Sequence, residues 1–461
     1  MSDKRIEKDS LGEVEVPSNA LWAAQTQRAI DNFPVSGRPM PGAFIHAVVR
    51  IKRSAARANA VLGLLDAGRA QAIETACDEV LGGDHADQFP VDVFQTGSGT
   101  STNMNVNEVI ARLASGHNSE PVNPNDHVNM SQSSNDVIPT AIHLSAVTEV
   151  HDALLPGLDH LMQTIAGREK ETESVVKTGR THLMDAMPVT LSQELRTWRD
   201  QISNARDRLE EAARGLLRIP QGGTAVGTGV NAHPDFARLF AEELSALTDL
   251  HFTAMDHPFV GQSAIDAPVA LSGAYRGLAT VVMKIANDLR WMNSGPIHGL
   301  GEITLPALQP GSSIMPGKVN PVIPESAAMV AAQVTGLDAT VNTAGQSGNF
   351  QLNVMLPLVG WNLLEMNGLL ANTARVMADK AIAGFTVNSE VMAEAVGKNP
   401  VLVTTLNPVI GYAKAAEVAK KAYASGRSIL EVAKEETDVP EDELRALLDP
   451  IKQTQGGLPD A

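Results

Sequence analysis

The chain has 461 residues, 43% hydrophobic and 19% charged, a composition ordinary for a globular protein and a length too great for one simple core. Its 36 basic and 53 acidic residues leave a net charge of -17, which disfavours nucleic acid and anionic membrane surfaces as partners. A lone cysteine, Cys77, excludes an internal disulfide and a cluster held by several thiolates, and a buried structural thiol of this kind fits a reducing cytoplasm.

The amino-terminal MSDKRIEKDSLGEVEV is charged and lacks the apolar core of a signal peptide. No stretch approaches the roughly 18 apolar residues that a membrane span needs. Up to about residue 130, helical patterns such as VPSNALWAAQTQRAI alternate with loops. Two polar clusters lie towards the end of this region, Thr96–Glu108 (TGSGTSTNMNVNE) and Asn123–Asp136 (NPNDHVNMSQSSND), and a third, Gly179–Pro188 (GRTHLMDAMP), comes later. Each is read as leading into a helical pattern. Free N–H groups and the positive dipole end make helix N-termini suitable for anions, so several converging termini suit a small dicarboxylate. Taken singly, Ser98 and Thr100 read as helix caps, Asn135 likewise, and His182 as one of 12 surface or structural histidines.

The clearest periodicity is central. Leu191, Leu195, Trp198, Ile202, Ala205, Leu209, Ala212 and Leu216 alternate spacings of four and three, as do Leu271, Tyr275, Leu278, Val282, Ile285, Leu289 and Met292. Residues 189–219 contain no interior proline, so a helix there runs about 45 Å at 1.5 Å per residue. A third helix is expected after Pro324, with Ala327, Val330, Val334, Leu337 and Val341 in register, and a fourth after Pro357. Long thin helices of this kind form an elongated bundle whose apolar stripes point to association of several copies. A monomeric bundle with solvated outer faces fits the same periodicity. The Gly-rich run Gly222–Gly229 (GGTAVGTG) lacks the Lys-Ser/Thr of a phosphate loop and follows a helix, so it reads as structural. From about Val387 the pattern changes to short helices, such as Gly411–Ser425, and an acidic EETDVPEDEL segment. The expected division is an N-terminal domain over 1–134, a central helical bundle over 135–388 and a small helical C-terminal domain over 389–461.

Gly311–Pro321, GSSIMPGKVNP, reads as a shaped loop: Pro316 and Pro321 remove donors and lock φ, while Gly311 and Gly317 open other conformations. Its hydroxyls, its ammonium and its backbone N–H groups suit an anion that is held and chemically attacked. This string, with GSGTSTNMN, SQSSND, GRTHLMDA and the N-terminal EVPSNALWAAQTQRAI, occurs in the order seen in class II fumarases of the fumarase/aspartase superfamily. The chain resembles that family over nearly its whole length. The resemblance implies an all-α, three-domain fold with a central long-helix bundle. It also implies a homotetramer with each active site shared between subunits, and no metal or other cofactor. The implied reaction is the reversible hydration of fumarate to (S)-malate in the tricarboxylic acid cycle.

The same resemblance distributes roles. Ser312 stands at the catalytic base, which must take a weakly acidic C–H proton beside a carboxylate; the alkoxide this needs requires stabilising N–H groups. Lys318 and Asn320, with Val319 between them, face the charge that develops on the aci-carboxylate. His182 serves the leaving hydroxyl, directly or through water, with Glu325 orienting it. Ser98, Gly99, Thr100, Ser133, Ser134, Asn135, Thr181 and Ser313 bind the substrate carboxylates. Asn123, Pro124, Asn125 and Asp126 correspond to a second, peripheral dicarboxylate site. That family segment commonly begins with His, so Asn123 puts anion binding there in question. Thr181-His182 and PGKVNP favour hydration over ammonia addition, because aspartases typically carry Gln for that His and tend towards PAKVNP. Aspartate ammonia-lyase and a non-catalytic protein of the same fold are the competing readings.

Overall fold

A computed structural model describes residues 3–455 of the chain. Helix accounts for 62% and strand for 9%, so the protein is all-α. In chain order the helices are α1 (Ala24–Asn32), α2 (Gly42–Val61), α3 (Ala67–Leu81), α4 (Thr100–His117), α5 (Ser134–Glu149), α6 (Leu155–Glu171), α7 (Leu191–Gly215) and α8 (Phe236–Thr248). They continue as α9 (Asp266–Met292), α10 (Val322–Gly345), α11 (Leu356–Met377), α12 (Ser389–Lys398), α13 (Asn407–Ile410), α14 (Tyr412–Ser425), α15 (Ile429–Glu436) and α16 (Glu441–Leu447). Among the described residues the strands form two-stranded ladders only. The longer ones are the antiparallel hairpins β1 (Lys4–Asp9) with β2 (Gly12–Pro17) and β3 (Val176–Thr181) with β4 (Met184–Thr190).

The chain divides into two compact units, the first of Met1–Pro156, Ala205–Ala279 and Ala331–Ala371, the second of Gly157–Asn204, Thr280–Val330 and Asn372–Ala461. In the first, α2 is the central element, packed against α3, α4, α5 and α8. Its Phe44, Val48, Ile51, Ala55 and Ala58 are buried at spacings of three and four, the stripe that burial of a helix face requires. In the second unit, Val396, Leu406, Val418, Ile429, Val432 and Leu444 close a small core among the C-terminal helices.

The long-helix seams pack as their periodicity predicts, with one shift. Every named α9 position from Leu271 to Met292 is buried, as are Leu191, Leu195, Trp198, Ile202, Ala205, Leu209 and Leu216 of the α7 stripe. Ala213 is buried in place of Ala212, which is only half-buried. A straight helix turns 3.6 residues and drifts off a 3.5 repeat, so the buried position moves one residue along. Helices α10 and α11 start slightly earlier than expected, because proline is tolerated in a first turn where its missing N–H has no partner to lose. Helix α9 has the length and a mean hydropathy of 1.2 that a membrane span also has, but half of that window is buried within the protein. Core packing accounts for that buried half. Cys77 is buried in α3, and burial pushes its thiol up, away from the reactive thiolate.

Candidate active site

The first unit gathers the hydroxyl-rich residues at two helix N-termini. Gly99 precedes α4 with φ 73°, a left-handed conformation that glycine adopts without strain. Gly97 lies so close to Val354 that a Cβ would sit 1.9 Å from the Val354 carbonyl oxygen. Neither Ser98 nor Thr100 caps α4. Their hydroxyls instead form a chain, with Ser98 Oγ 2.7 Å from Thr100 Oγ1 and Thr100 Oγ1 2.6 Å from Ser134 Oγ. The cap of α5 is Ser133, whose Oγ accepts from Asn135 N at 3.2 Å while Asp136 Oδ1 accepts from Ser133 N at 2.9 Å. Asn135 is thus not the cap, and its Nδ2 donates to the Ala225 carbonyl at 2.8 Å.

Two buried charges stand behind these hydroxyls. Asp136 accepts from Gly222 N at 3.0 Å and Thr224 N at 2.9 Å, so the Gly222–Gly229 run is tied to the start of α5. Burial pushes the Asp136 carboxyl up to about 6, against the pull of those N–H groups and of Lys52. Lys52 on α2 is itself fully buried, and burial pushes its ammonium down to about 7 while Asp136 and Cys77 pull it up. Asp136 closes the SQSSND motif but carried no assigned role, and no motif pointed to Lys52, for which a lysine on an apolar helix face was the available signal.

Asn123 begins a π-helical turn, Pro124–Val128, and its Oδ1 accepts from Asn125 N at 2.8 Å and Asp126 N at 3.0 Å. His127 closes the turn, its Nδ1 accepting from Asn123 N at 2.8 Å. An imidazole is therefore present four residues after Asn123.

The second unit carries the remaining candidates. Gly179–Pro188 does not lead straight into a helix. It forms the β3–β4 hairpin, and α7 begins only at Leu191. Thr181 pairs with Met184 around a two-residue turn in which His182 and Leu183 have φ 56° and 60°, so His182 is an exposed residue at a hairpin tip. Positive φ at both central residues matches the twist of a hairpin, but non-glycine residues held there cost about 1–3 kcal/mol each. Strand β3 is held by buried charge: Lys177 Nζ lies 2.6 Å from both Glu194 Oε2 and Glu302 Oε2, and Arg180 Nη1 donates to Glu302 Oε1 at 2.7 Å.

Residues 311–321 form a closed loop without regular structure. Gly311 N donates to the Lys318 carbonyl at 2.9 Å, and a Cβ on Gly311 would come within 2.2 Å of that oxygen. Asn320 Nδ2 donates to the Gly311 carbonyl at 2.6 Å, and Lys318 Nζ donates to Asn320 Oδ1 at 2.8 Å. Inside this ring Ser312 Oγ accepts backbone N–H groups from Ile314 at 3.3 Å and Met315 at 3.0 Å. Ser313 beside it is exposed. Lys318, Val319, Asn320 and Glu325, in the first turn of α10, line a cavity of about 470 Å³ together with Asn287, Arg290 and Asn293, which the sequence reading did not single out. Among the described residues, no hydrogen bond or ion pair joins His182 to Glu325. The candidates thus fall into two sets, one hydroxyl-rich in the first unit and one carrying Ser312, Lys318 and His182 in the second.

A lyase family model matches residues 12–336, and a model of the fumarase C C-terminus matches residues 402–455. The chain is 59% identical over 458 residues to class II fumarate hydratase 2 of Pseudomonas aeruginosa, covering 99% of this chain and 100% of that one. It is 57% identical over 454 residues to the class II fumarate hydratase of Xylella fastidiosa, covering 98% and 96%. The crystal structure of a class II fumarase from Schistosoma mansoni superposes with a TM-score of 0.94 at 38% identity, covering 98% of this chain and 99% of that one. With likeness of sequence and fold extending over nearly its whole length, the chain belongs to the class II fumarate hydratase family.

Proposed function

We propose that this protein is a hydro-lyase that interconverts fumarate and (S)-malate, a reaction of the tricarboxylic acid cycle. Family membership carries the reaction, and the two backbone N–H groups directed at Ser312 Oγ carry the chemistry. In the dehydration direction, Ser312 as alkoxide takes the proton from the carbon beside one malate carboxylate. The electron pair moves into that carboxylate, giving an aci-carboxylate that Lys318 and Asn320 face. The carbon–oxygen bond at the neighbouring carbon then breaks, and the hydroxyl leaves as water with a proton from His182, directly or through water. Fumarate and water are the products, and the chain's own groups supply each proton transfer. Donors fixed in place before reaction stabilise such charge without reorganising.

Ser98, Thr100, Ser133, Ser134, Asn135, Thr181 and Ser313 hold the two carboxylates, and Glu325 orients His182. The protein works as a homotetramer whose active sites are shared between subunits. Support comes from the site loops of the single chain, where Ile314 is 83%, Met184 69% and Leu183 67% exposed, an apolar display that other copies would cover. The three-domain division is supported at its C-terminal end by the separate core from Val396 to Leu448. Asn123–Asp126 remains assigned to a second dicarboxylate site, with His127 as its imidazole. A cytoplasmic location, supported by the single buried thiol, completes this reading. The direct test is malate dehydration by purified protein, followed by the ultraviolet absorbance of fumarate, beside the same assay with aspartate. Turnover of aspartate in place of malate would overturn the assignment.

A further inference from the structure

Lys52 reaches both halves of the hydroxyl-rich set from behind. Its three ammonium protons meet three amide oxygens: Asn103 Oδ1 at 2.7 Å, Gln132 Oε1 at 2.9 Å and Asn129 Oδ1 at 3.0 Å. An ammonium has three donors and no acceptor, so its hydrogen bonding is complete, with no carboxylate in direct contact. Asn103 lies on α4 three residues after Thr100. Gln132 lies immediately before Ser133, and Asn129 begins that same connection. Further bonds lock the connection to itself: Gln132 Nε2 donates to the Val128 and Met130 carbonyls at 3.1 and 3.0 Å, and Asn129 Nδ2 to the Gln132 carbonyl at 3.2 Å. Two turns along α2 from Lys52, Asn59 Nδ2 donates to the Met130 carbonyl at 3.1 Å, and Ser131 Oγ donates to Asn59 Oδ1 at 2.8 Å.

A fully buried ammonium is expensive to keep, and apolar residues would pack there more cheaply. It joins α4 to residues 129–132 beside the donations of Asn103 Nδ2 and Asn107 Nδ2 to Asn129 Oδ1 at 3.2 and 3.1 Å, and these two segments must be in register for Thr100 Oγ1 to meet Ser134 Oγ at 2.6 Å. We propose that Lys52 is a positioning residue for substrate binding, which clamps Asn103, Asn129 and Gln132 so that Thr100 and Ser133–Asn135 are set to receive a substrate carboxylate. This rests on the reading that those hydroxyls bind substrate.

The test compares the wild-type, Lys52→Met, Gln132→Met and Thr100→Ala proteins in malate dehydration, with circular dichroism and sedimentation for each. Lys52→Met raises KM for malate about tenfold while kcat per folded subunit falls less than threefold, because the groups of the chemical step lie in other segments. Gln132→Met removes one acceptor of Lys52, and with it the two donations of Gln132 Nε2, but leaves Lys52 its other two acceptors, so it keeps a measurable protein in hand if Lys52→Met does not fold, and it raises KM about threefold. An unchanged KM in Gln132→Met, or a Lys52→Met protein that loses only thermal stability and active fraction, overturns the proposal. The two readings fail separately. If Thr100→Ala leaves KM unchanged, the hydroxyl set is not the carboxylate site; if Thr100→Ala raises KM and the Lys52 and Gln132 variants do not, only the role of Lys52 is lost.

Discussion

Thr100 Oγ1 lies 2.6 Å from Ser134 Oγ, and this contact joins the first turns of α4 and α5, 34 residues apart in the chain. With Ser98 it makes a row of three hydroxyls at two helix N-termini. Thr100→Val keeps the shape and removes the middle hydroxyl. A hydrogen bond to a charged group is worth about 1.5–3 kcal/mol, so KM for malate should rise roughly 10- to 100-fold with little change in melting temperature. Steady-state kinetics with a thermal melt check it; an unchanged KM removes Thr100 from the binding site.

Ser312→Ala deletes an oxygen that accepts two loop N–H groups and packs against no core. The exposed N–H groups turn to water, so the fold should be indifferent. As the base is lost, kcat should fall by about 10²–10⁴-fold or more. Retention of near-normal kcat would rule Ser312 out as the base.

His182 occupies a left-handed position, φ 56°, that Asn also tolerates. His182→Asn therefore preserves the hairpin while removing the proton donor, and kcat should fall about 10²–10⁴-fold. A variant with an unchanged rate would place the leaving-group chemistry elsewhere.

Glu302 is a buried carboxylate between Lys177 and Arg180 on β3. Glu302→Gln leaves one buried cation and one half-buried cation short of a charge. Breaking a buried pair costs about 3–5 kcal/mol, with Glu194 still serving Lys177 to hold the loss near the lower figure. Hydrogen exchange in β3 and β4 should quicken more than in α2 or α5. Equal protection of the hairpin in both proteins would mean that the ion cluster does not anchor His182.

His143, fully buried in α5 with its Nδ1 3.1 Å from the Leu216 carbonyl, is pushed down to about 4 by burial. Its folded value lies below the unfolded one of about 6.5. As pH falls from 6.5 towards 4, the unfolded chain takes a proton that the folded chain refuses. Stability is therefore lost across that window, on the order of 3 kcal/mol at its lower end. Asp136, raised to about 6, acts the other way below that pH, so the contrast with a variant isolates the His143 contribution. His143→Asn keeps a donor for Leu216 and should flatten the difference in urea-unfolding stability between pH 7 and pH 4.5.

The long helices were legible because their cause is local: Leu271 to Met292 repeat at three and four, and every one of those positions is buried. Gly311–Pro321 was legible as a shaped loop because its glycines and prolines exclude regular structure. The hairpin at Gly179–Pro188 was not. Two-residue hairpins announce themselves by Asn-Gly or Asp-Gly, and here His182-Leu183 fills the turn. What holds it is charge pairing of Lys177 and Arg180 with Glu302, more than a hundred positions away, which no window of sequence contains.

The sequence alone determined the helical class, the seam faces, and the residue types for holding a dicarboxylate and drawing off a proton. These follow from periodicity and from the chemistry that side chains carry anywhere. Tertiary structure decided that Ser133 and not Asn135 caps α5, that Thr100 meets Ser134, and that Lys52 stands behind both. Those are distances between segments far apart in the chain. They arise only when packing of α2, α4 and α5 brings the donors and acceptors of different segments within 3 Å of one another.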